Sequence, residues 1–225
     1  KLLQETSLPM SDVAYAAGFG SIRRFNALFL ARYGMAPTSI RRAAGVPSTL
    51  GEDAITLRLA YRPPYAWEPM LAYLAGRAIP GVEGVVEDAP GRFSYVRSVK
   101  LNNIAGWLRV THLPARKQLE LSLPASLAPV LMPLLARVRK QFDLDANPEV
   151  IAAHLSADTF LSKQIRRTPG LRVPGSFDTF ELAIRAVLGQ QVSVAGATTV
   201  SGRLVKAFGE PADTPFIGIN RHFPT

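Results

Sequence analysis

An α+β chain in three parts is what the sequence predicts: a short helical pair, an antiparallel sheet carrying two helices, and the start of an all-helical unit. Three observations carry this. Between residues 54 and 123 apolar residues alternate with period two in short runs broken by turn residues. On both sides of that stretch the apolar period lengthens to that of a helix. Capping residues and glycines stand at the ends of the helical runs.

The bulk properties narrow the class. With 225 residues, 48% of them hydrophobic, and a mean hydropathy of +0.11, the chain can bury a sizeable core and belongs with folded proteins. No apolar run is long enough to span a bilayer and no basic leader precedes one, so a soluble, intracellular chain is expected. There is no cysteine, which excludes disulfides and thiolate chemistry. His112, His154 and His222 have no metal-ligand spacing, and neither a metal nor a cofactor is expected. The net charge of +9 favours a polyanionic partner such as nucleic acid.

In chain order, Ser11 is placed to cap a short helix through Ala17, Gly18 breaks it, and Ser21 caps a second helix ending at Gly34, with Pro37 beyond. On the second helix Phe25, Leu28 and Phe29 share an inward face while Arg23, Arg24 and Asn26 point outwards. Helix, glycine turn, helix is the helix-turn-helix arrangement. Residues 1–44 hold six Lys/Arg against two acids, a net +4, as a duplex-binding unit would. Residues 45–53 read as an interdomain linker. Next, ITLRLAY makes a half-buried strand, and a helix from about Ala66 to Arg77 turns Trp67, Met70, Leu71 and Leu74 inward. Strands follow at Gly84–Glu87, Phe93–Val99, Ile104–Thr111 and Gln118–Leu123, with turns at Pro90-Gly91, Asn102-Asn103 and Pro114; their short connections make the sheet antiparallel. A helix over about Leu127–Phe142 covers one face. Asn147 caps another with Pro148 in first position. Lys163, Arg166, Arg167 and Arg172 form a charge run expected on a solvated surface.

The stretch Val173–Ala197 is the most informative. Asp178 is a candidate N-cap, with Glu181 completing a capping box. Phe177, Phe180, Ile184, Val187 and Leu188 share the face expected to be buried, and the helix stops at Gly189. Ser193 caps the next helix, whose inner face is expected to hold Ala197, Val200, Leu204 and Phe208 before Gly209 ends it. Between the two lies Gln190-Gln191-Val192. Two long, neutral hydrogen-bonding side chains on rigid scaffolding suit insertion into a base stack better than a core.

Two resemblances follow from these residues. PYAW at Pro64–Trp67, FDLDANPEVI at Phe142–Ile151 and LRVPGSFDTFELAIRAVLGQQVSV at Leu171–Val194 make residues 54–225 resemble the AlkA-type 3-methyladenine DNA glycosylase II, of the helix-hairpin-helix superfamily. Gly18, Phe19, Ser21, Phe25, Phe29, Gly34 and Pro37 make residues 1–44 resemble the C-terminal half of an AraC/XylS (Ada-type) helix-turn-helix regulator. The first resemblance implies that residues 54–170 form an α/β domain like half of the TATA-binding protein and that 171–225 begin the glycosylase domain. It places Tyr73 and Gln190 beside the pocket for an extruded base, with Trp67 mainly structural in the same wall, and makes Gln191 the wedge into the duplex. The family's glycine hairpin and catalytic aspartate are expected downstream of Thr225, so no catalytic residue is assigned here and the chain by itself is expected to be inactive. The second resemblance implies that Ser21, Ile22, Arg23, Arg24 and Ala27 line a DNA-binding helix, with Ile22, Arg23 and Ala27 towards bases and Arg24 nearer phosphate. Together they imply a bacterial, cytoplasmic, nucleoid-associated regulator and repair enzyme, whose partners are a promoter site and alkylated duplex DNA. An AraC-type factor with an inactive glycosylase-like sensing module, and a general architectural DNA-binding protein, are the alternatives.

Overall fold

A computed structural model describes residues 9–33, 37 and 54–225. The expected linker at 45–53 and the helix stop at Gly34 lie outside these residues. The N-terminal pair consists of α1 (Met10–Ala16) and α2 (Ile22–Tyr33). Gly18 takes φ +83° between them, a left-handed value that costs glycine little. Ser21 Oγ accepts from the Arg24 amide at 3.2 Å, as expected of a cap. Ser11 does not cap α1: the N-cap is Pro9, and the Ser11 hydroxyl donates to Asp12 inside the first turn.

Five strands follow, β1 (Ala54–Ala60), β2 (Glu83–Ala89), β3 (Arg92–Leu101), β4 (Ile104–Leu113) and β5 (Gln118–Pro124), in the sheet order β1-β5-β4-β3-β2. Every neighbouring pair is antiparallel. The β3–β4 hairpin closes on Asn102 and Asn103, both at positive φ, which matches the twist of the strands it joins. Between β1 and β2 runs α3 (Trp67–Ala75), and after β5 a 3₁₀ turn, Ala125–Val130, leads into α4 (Leu131–Gln141). The helix therefore starts one 3₁₀ turn later than the expected Leu127.

Period two decides what is buried. Ile55, Leu57 and Leu59 face Leu123, Leu121 and Leu119 across β1–β5, and Val110 and Tyr95 continue the layer through β4 and β3. Trp67, Met70, Leu71 and Leu74 from α3, with Leu131, Leu134 and Val138 from α4, complete this core. Val13, Ala14, Ala16 and Phe25 join the same cluster, because α1 packs on the 3₁₀ turn at Ala125–Val130.

Four helices close the chain: α5 (Pro148–Leu155), α6 (Thr159–Arg167), α7 (Thr179–Leu188) and α8 (Val194–Phe208). Asn147 caps α5, Asp158 caps α6, Asp178 caps α7 and Ser193 caps α8, each by accepting from a first-turn amide. The crossing from sheet to helices is tightly pinned. Gly170 sits at φ +78°, where an added Cβ would lie 2.5 Å from the Pro64 carbonyl oxygen, and Ala66 N donates to Gly170 O at 3.0 Å. Arg172 departs from the solvated charge run expected of it. It is 5% exposed, and its guanidinium donates to the carbonyls of Asp143 (3.0 Å), Ala146 (3.1 Å), Pro64 (3.3 Å) and Arg62 while lying over the Tyr65 ring. Lys163, Arg166 and Arg167 do lie on the surface.

Candidate nucleic-acid interface

The register of β2 and β3 sets Glu83 opposite Arg97 on the helix-covered face of the sheet. Neither charge could stay there alone, since an unpaired buried ion costs several kcal/mol or more. α7 supplies the compensation. Arg97 donates to Glu181 at 2.8 Å and lies 3.6 Å from Glu83. Arg185, one turn beyond Glu181, bonds Glu181 at 2.6 Å and also reaches Glu83. Tyr95 OH donates to Glu83, and Gln141 donates to Tyr95 at 3.0 Å. Burial alone would raise the Glu181 carboxyl, but Arg97 and Arg185 outweigh it and hold Glu181 below the usual carboxylate range. Burial and the adjoining Glu83 push the Tyr95 phenol up. Two anions and two cations thus fasten α7 to the sheet.

This clasp overturns two expectations. Glu181 does not close a capping box, because its carboxylate is drawn inward to Arg97 instead of back to the Asp178 amide. Nor is the apolar stripe of α7 buried: Phe177 is, but Phe180 is 52% exposed and Val187 66%. The helix turns its Glu181–Arg185 side to the sheet, so Phe180 and Val187 rotate away. On α8 the buried positions are Ser201 and Val205, while Val200 and Phe208 are exposed.

The clasp sets where the polar turn stands. Gly189 ends α7, and Gln190 and Gln191 follow, both exposed. Gln191 has φ +58°, a left-handed value that costs an ordinary side chain about 1–2 kcal/mol. Two cavities lie near this region, and neither is lined by Gln190 or Gln191. One, of about 390 Å³, is walled by Tyr73, Leu74, Arg77, Phe177, Leu182 and Arg185 among others. The other, of about 200 Å³, is walled by Arg77, Arg185, Gly189, Val192, Val194, Ala197, Thr198 and Ser201, and so runs along the turn. Arg185 Nη1 donates to the Arg77 carbonyl at 2.8 Å, tying the end of α3 to α7. Tyr73 is 42% exposed in the larger cavity, and the Arg77 guanidinium stands 3.9 Å from its ring centroid. Trp67 does not join Tyr73 in that wall. It is 4% exposed and stacks on Phe142 at 5.8 Å, because its position on α3 faces the sheet.

A second polar surface lies on α2. Ser21, Ile22, Arg23, Arg24 and Ala27 are exposed, and among the described residues no carboxylate pairs with Arg23 or Arg24. Phe25 is buried, edge-on to Phe19 at 5.3 Å. Leu28, expected beside it, is exposed: α1 packs against the Phe25 side of the helix. Sequence reasoning missed Glu83, Arg97, Arg185 and Arg77. A signal existed for Arg97, which has the same strand parity as the inward Tyr95 and Val99.

Fold and site together define a class: an α+β chain with a helix-turn-helix on one side and, on the other, an exposed polar turn beside a cleft held by a buried ion cluster. Comparison gives the family. The AlkA N-terminal domain model matches residues 56–178 and a helix-turn-helix domain model matches residues 1–43; the chain belongs to the AlkA N-terminal domain family. It is 38% identical over 227 aligned residues, 100% of its own length, to a Mycobacterium tuberculosis protein named a probable bifunctional transcriptional activator/DNA repair enzyme AlkA, of which it covers 44%. It is 38% identical over 157 residues, 69% of its length, to DNA-3-methyladenine glycosylase 2 of Escherichia coli, covering 51% of it. The chain therefore spans about half the length of these relatives. A 3-methyladenine DNA glycosylase from Archaeoglobus fulgidus has the same fold at 20% identity, with a TM-score of 0.59 over 75% of this chain and 56% of that one.

Proposed function

We propose that this chain is the regulatory and substrate-facing stretch of a bacterial protein, cytoplasmic and nucleoid-associated, that activates transcription and excises alkylated purines from DNA. The observation that carries this reading is the order of units. A helix-turn-helix precedes an AlkA N-terminal domain in one chain, aligned along its whole length with a relative named for both tasks. The exposed face of α2 meets a promoter, Arg23 towards base edges and Arg24 towards phosphate, with Ser21, Ile22 and Ala27 beside them.

Excision adds the hydroxyl of water at C1′ of the damaged nucleotide and breaks its N-glycosidic bond; a purine made cationic by alkylation leaves neutral and the other proton of the water passes to solvent, whereas a neutral purine takes that proton as it leaves. The base must first leave the stack. Tyr73 and Gln190 border its pocket while Gln191 fills the gap, offsetting part of the unstacking cost. The left-handed backbone at Gln191 supports that role, since strain of this kind gathers where a side chain must be aimed.

The stretch by itself does not release base. Its carboxylates near the cleft are engaged: Asp178 caps α7 and bonds Arg137 at 2.7 Å, and Glu83 and Glu181 are neutralised by Arg97 and Arg185. The test is release from duplexes carrying one 3-methyladenine or one hypoxanthine, read as alkali-labile breaks. Residues 1–225 should give none, and the protein expressed from its complete reading frame should give strand breaks. Silence from the complete protein would favour the inactive sensing module.

A further inference from the structure

We infer that the side-chain oxygen of Gln141 selects among damaged bases, favouring purines that bring an amino group to the inner wall of the Tyr73 cavity over those that bring a carbonyl. The inference rests on the reading of that cavity as the base pocket and adds which bases it accepts.

Gln141 is the last residue of α4. It is 2% exposed and lines the cavity of about 390 Å³ together with Tyr73, Leu74, Phe177 and Leu182. Its amide can face only one way. Tyr95 donates its single phenolic proton to Glu83, so the phenol oxygen can only accept, and it accepts from Gln141 Nε2 at 3.0 Å. Turning the amide over would set the lone pairs of Oε1 against those of Tyr95. Oε1 is the end left over, and among the described residues no donor bonds it. A buried acceptor without a partner is rare in a folded protein.

The carboxylates of the same wall are taken. Glu83 receives Tyr95, Arg185 and the Ile79 amide, and Glu181 receives Arg97 and Arg185. Gln141 is also held through its backbone, whose carbonyl accepts from Gly175 N at 2.9 Å. At Gly175 an added Cβ would lie 2.5 Å from Lys140 O, so the Pro174–Phe177 edge of the cavity is seated directly on the end of α4. The acceptor thus stands in place before any base arrives, and little ordering opposes a bond to it.

The lining specifies the ligand. Tyr73, Leu74, Phe177 and Leu182 offer aromatic and apolar surface to a flat ring, and Oε1 requires an N–H at the edge of that ring. An amino group there satisfies it, and positive charge from N-alkylation polarises the N–H and strengthens the bond. A carbonyl in the same place sets two acceptors face to face and leaves both unpaired. A site built for an N–H rejects an analogue lacking it more sharply than an apolar pocket rejects a change of shape.

The test uses the protein expressed from its complete reading frame and its Gln141→Leu variant, which fills a similar volume and removes the acceptor. Single-turnover release is measured from duplexes carrying 3-methyladenine, which has an amino group, and hypoxanthine, which has a carbonyl on the same ring carbon. The ratio of the 3-methyladenine rate to the hypoxanthine rate should fall by about five- to fiftyfold in the variant. An unchanged ratio, through equal losses or through none, would overturn the inference.

A second measurement needs neither catalysis nor a stable Gln141 variant. The complete protein is titrated with millimolar adenine, hypoxanthine or unsubstituted purine while its melting temperature is followed. Adenine should raise it most and hypoxanthine least, and Tyr73→Ala should remove the gain. Equal shifts, no shift, or a gain that survives Tyr73→Ala would overturn the inference. A complete protein that releases neither base while the titration discriminates would refute the proposed activity and leave the role of Gln141 standing.

Discussion

Replacing Glu181 by alanine tests the clasp that positions the polar turn. The wild-type cluster balances two carboxylates, Glu83 and Glu181, against two guanidiniums, Arg97 and Arg185, in a site where Arg97 and Glu181 are almost wholly buried. Alanine deletes three bonds, from Arg97 Nη2 at 2.8 Å, Arg185 Nη2 at 2.6 Å and Arg185 Nε at 3.0 Å, and leaves two cations sharing Glu83. Removing one partner of a buried pair costs about 3–5 kcal/mol, and a Coulomb term near 4 kcal/mol at 4 Å in a surface-like dielectric agrees. With a urea m-value of about 2 kcal/mol per molar, the unfolding midpoint should fall by about 1.5–2.5 M. Glu181→Gln keeps an acceptor and should lose about 1–3 kcal/mol. The pH dependence supplies the sign. Glu181 titrates below the ordinary carboxylate value of 4.5 when folded, so its contribution is complete above that pH and disappears as pH falls through the lower folded value. The wild type should therefore lose more stability between pH 5 and pH 3 than Glu181→Ala does. A loss under about 1 kcal/mol on substitution, with an unchanged acid profile, would mean that water screens the cluster and that packing alone holds α7.

Gly170→Ala should destabilise by about 2–5 kcal/mol, combining a left-handed backbone with a Cβ placed 2.5 Å from Pro64 O. Gly91→Ala, at φ +75° with nothing within 4 Å, should cost only about 1–2 kcal/mol in the same urea titration. Arg172→Met should strip the donor from four backbone carbonyls and lower the melting temperature by about 6–15 °C in calorimetry. Gln191→Gly should stabilise the chain by about 0.5–1 kcal/mol by relieving its backbone, while weakening binding to a duplex with an unpaired lesion in a fluorescence-anisotropy titration. A gain in that affinity would refute the wedge role.

What the sequence disclosed was what neighbours along the chain decide. Ser21, Asn147, Asp178 and Ser193 bond amides two or three residues away, and each cap could be read from a few letters. The strands followed from period two and from turn residues such as Asn102-Asn103. Glu181 was misread because the charge that draws its carboxylate inward, Arg97, lies on β3 84 residues away, and a local motif cannot weigh a distant charge. Arg172 was misread for the same reason: its acceptors are carbonyls of two separate loops, at residues 62–64 and 143–146. For Phe180 and Val187, periodicity identified an apolar stripe but not which side of the helix the sheet would hold. Trp67 faces the core, as the helical period of α3 predicts, and Tyr73 on the same helix is half exposed.

The seat of α1 has a practical consequence. Val13, Ala14 and Ala16 share a hydrophobic cluster with Leu127, Ala128 and Val130, so the N-terminal pair and the sheet layer are fused through a common interior. Cutting the chain between them would not yield two clean pieces, because each half would display a newly bared greasy patch and would tend to precipitate or self-associate. Moving α1 and α2 together into a related chain would likewise require carrying along the 3₁₀ turn on which α1 is seated.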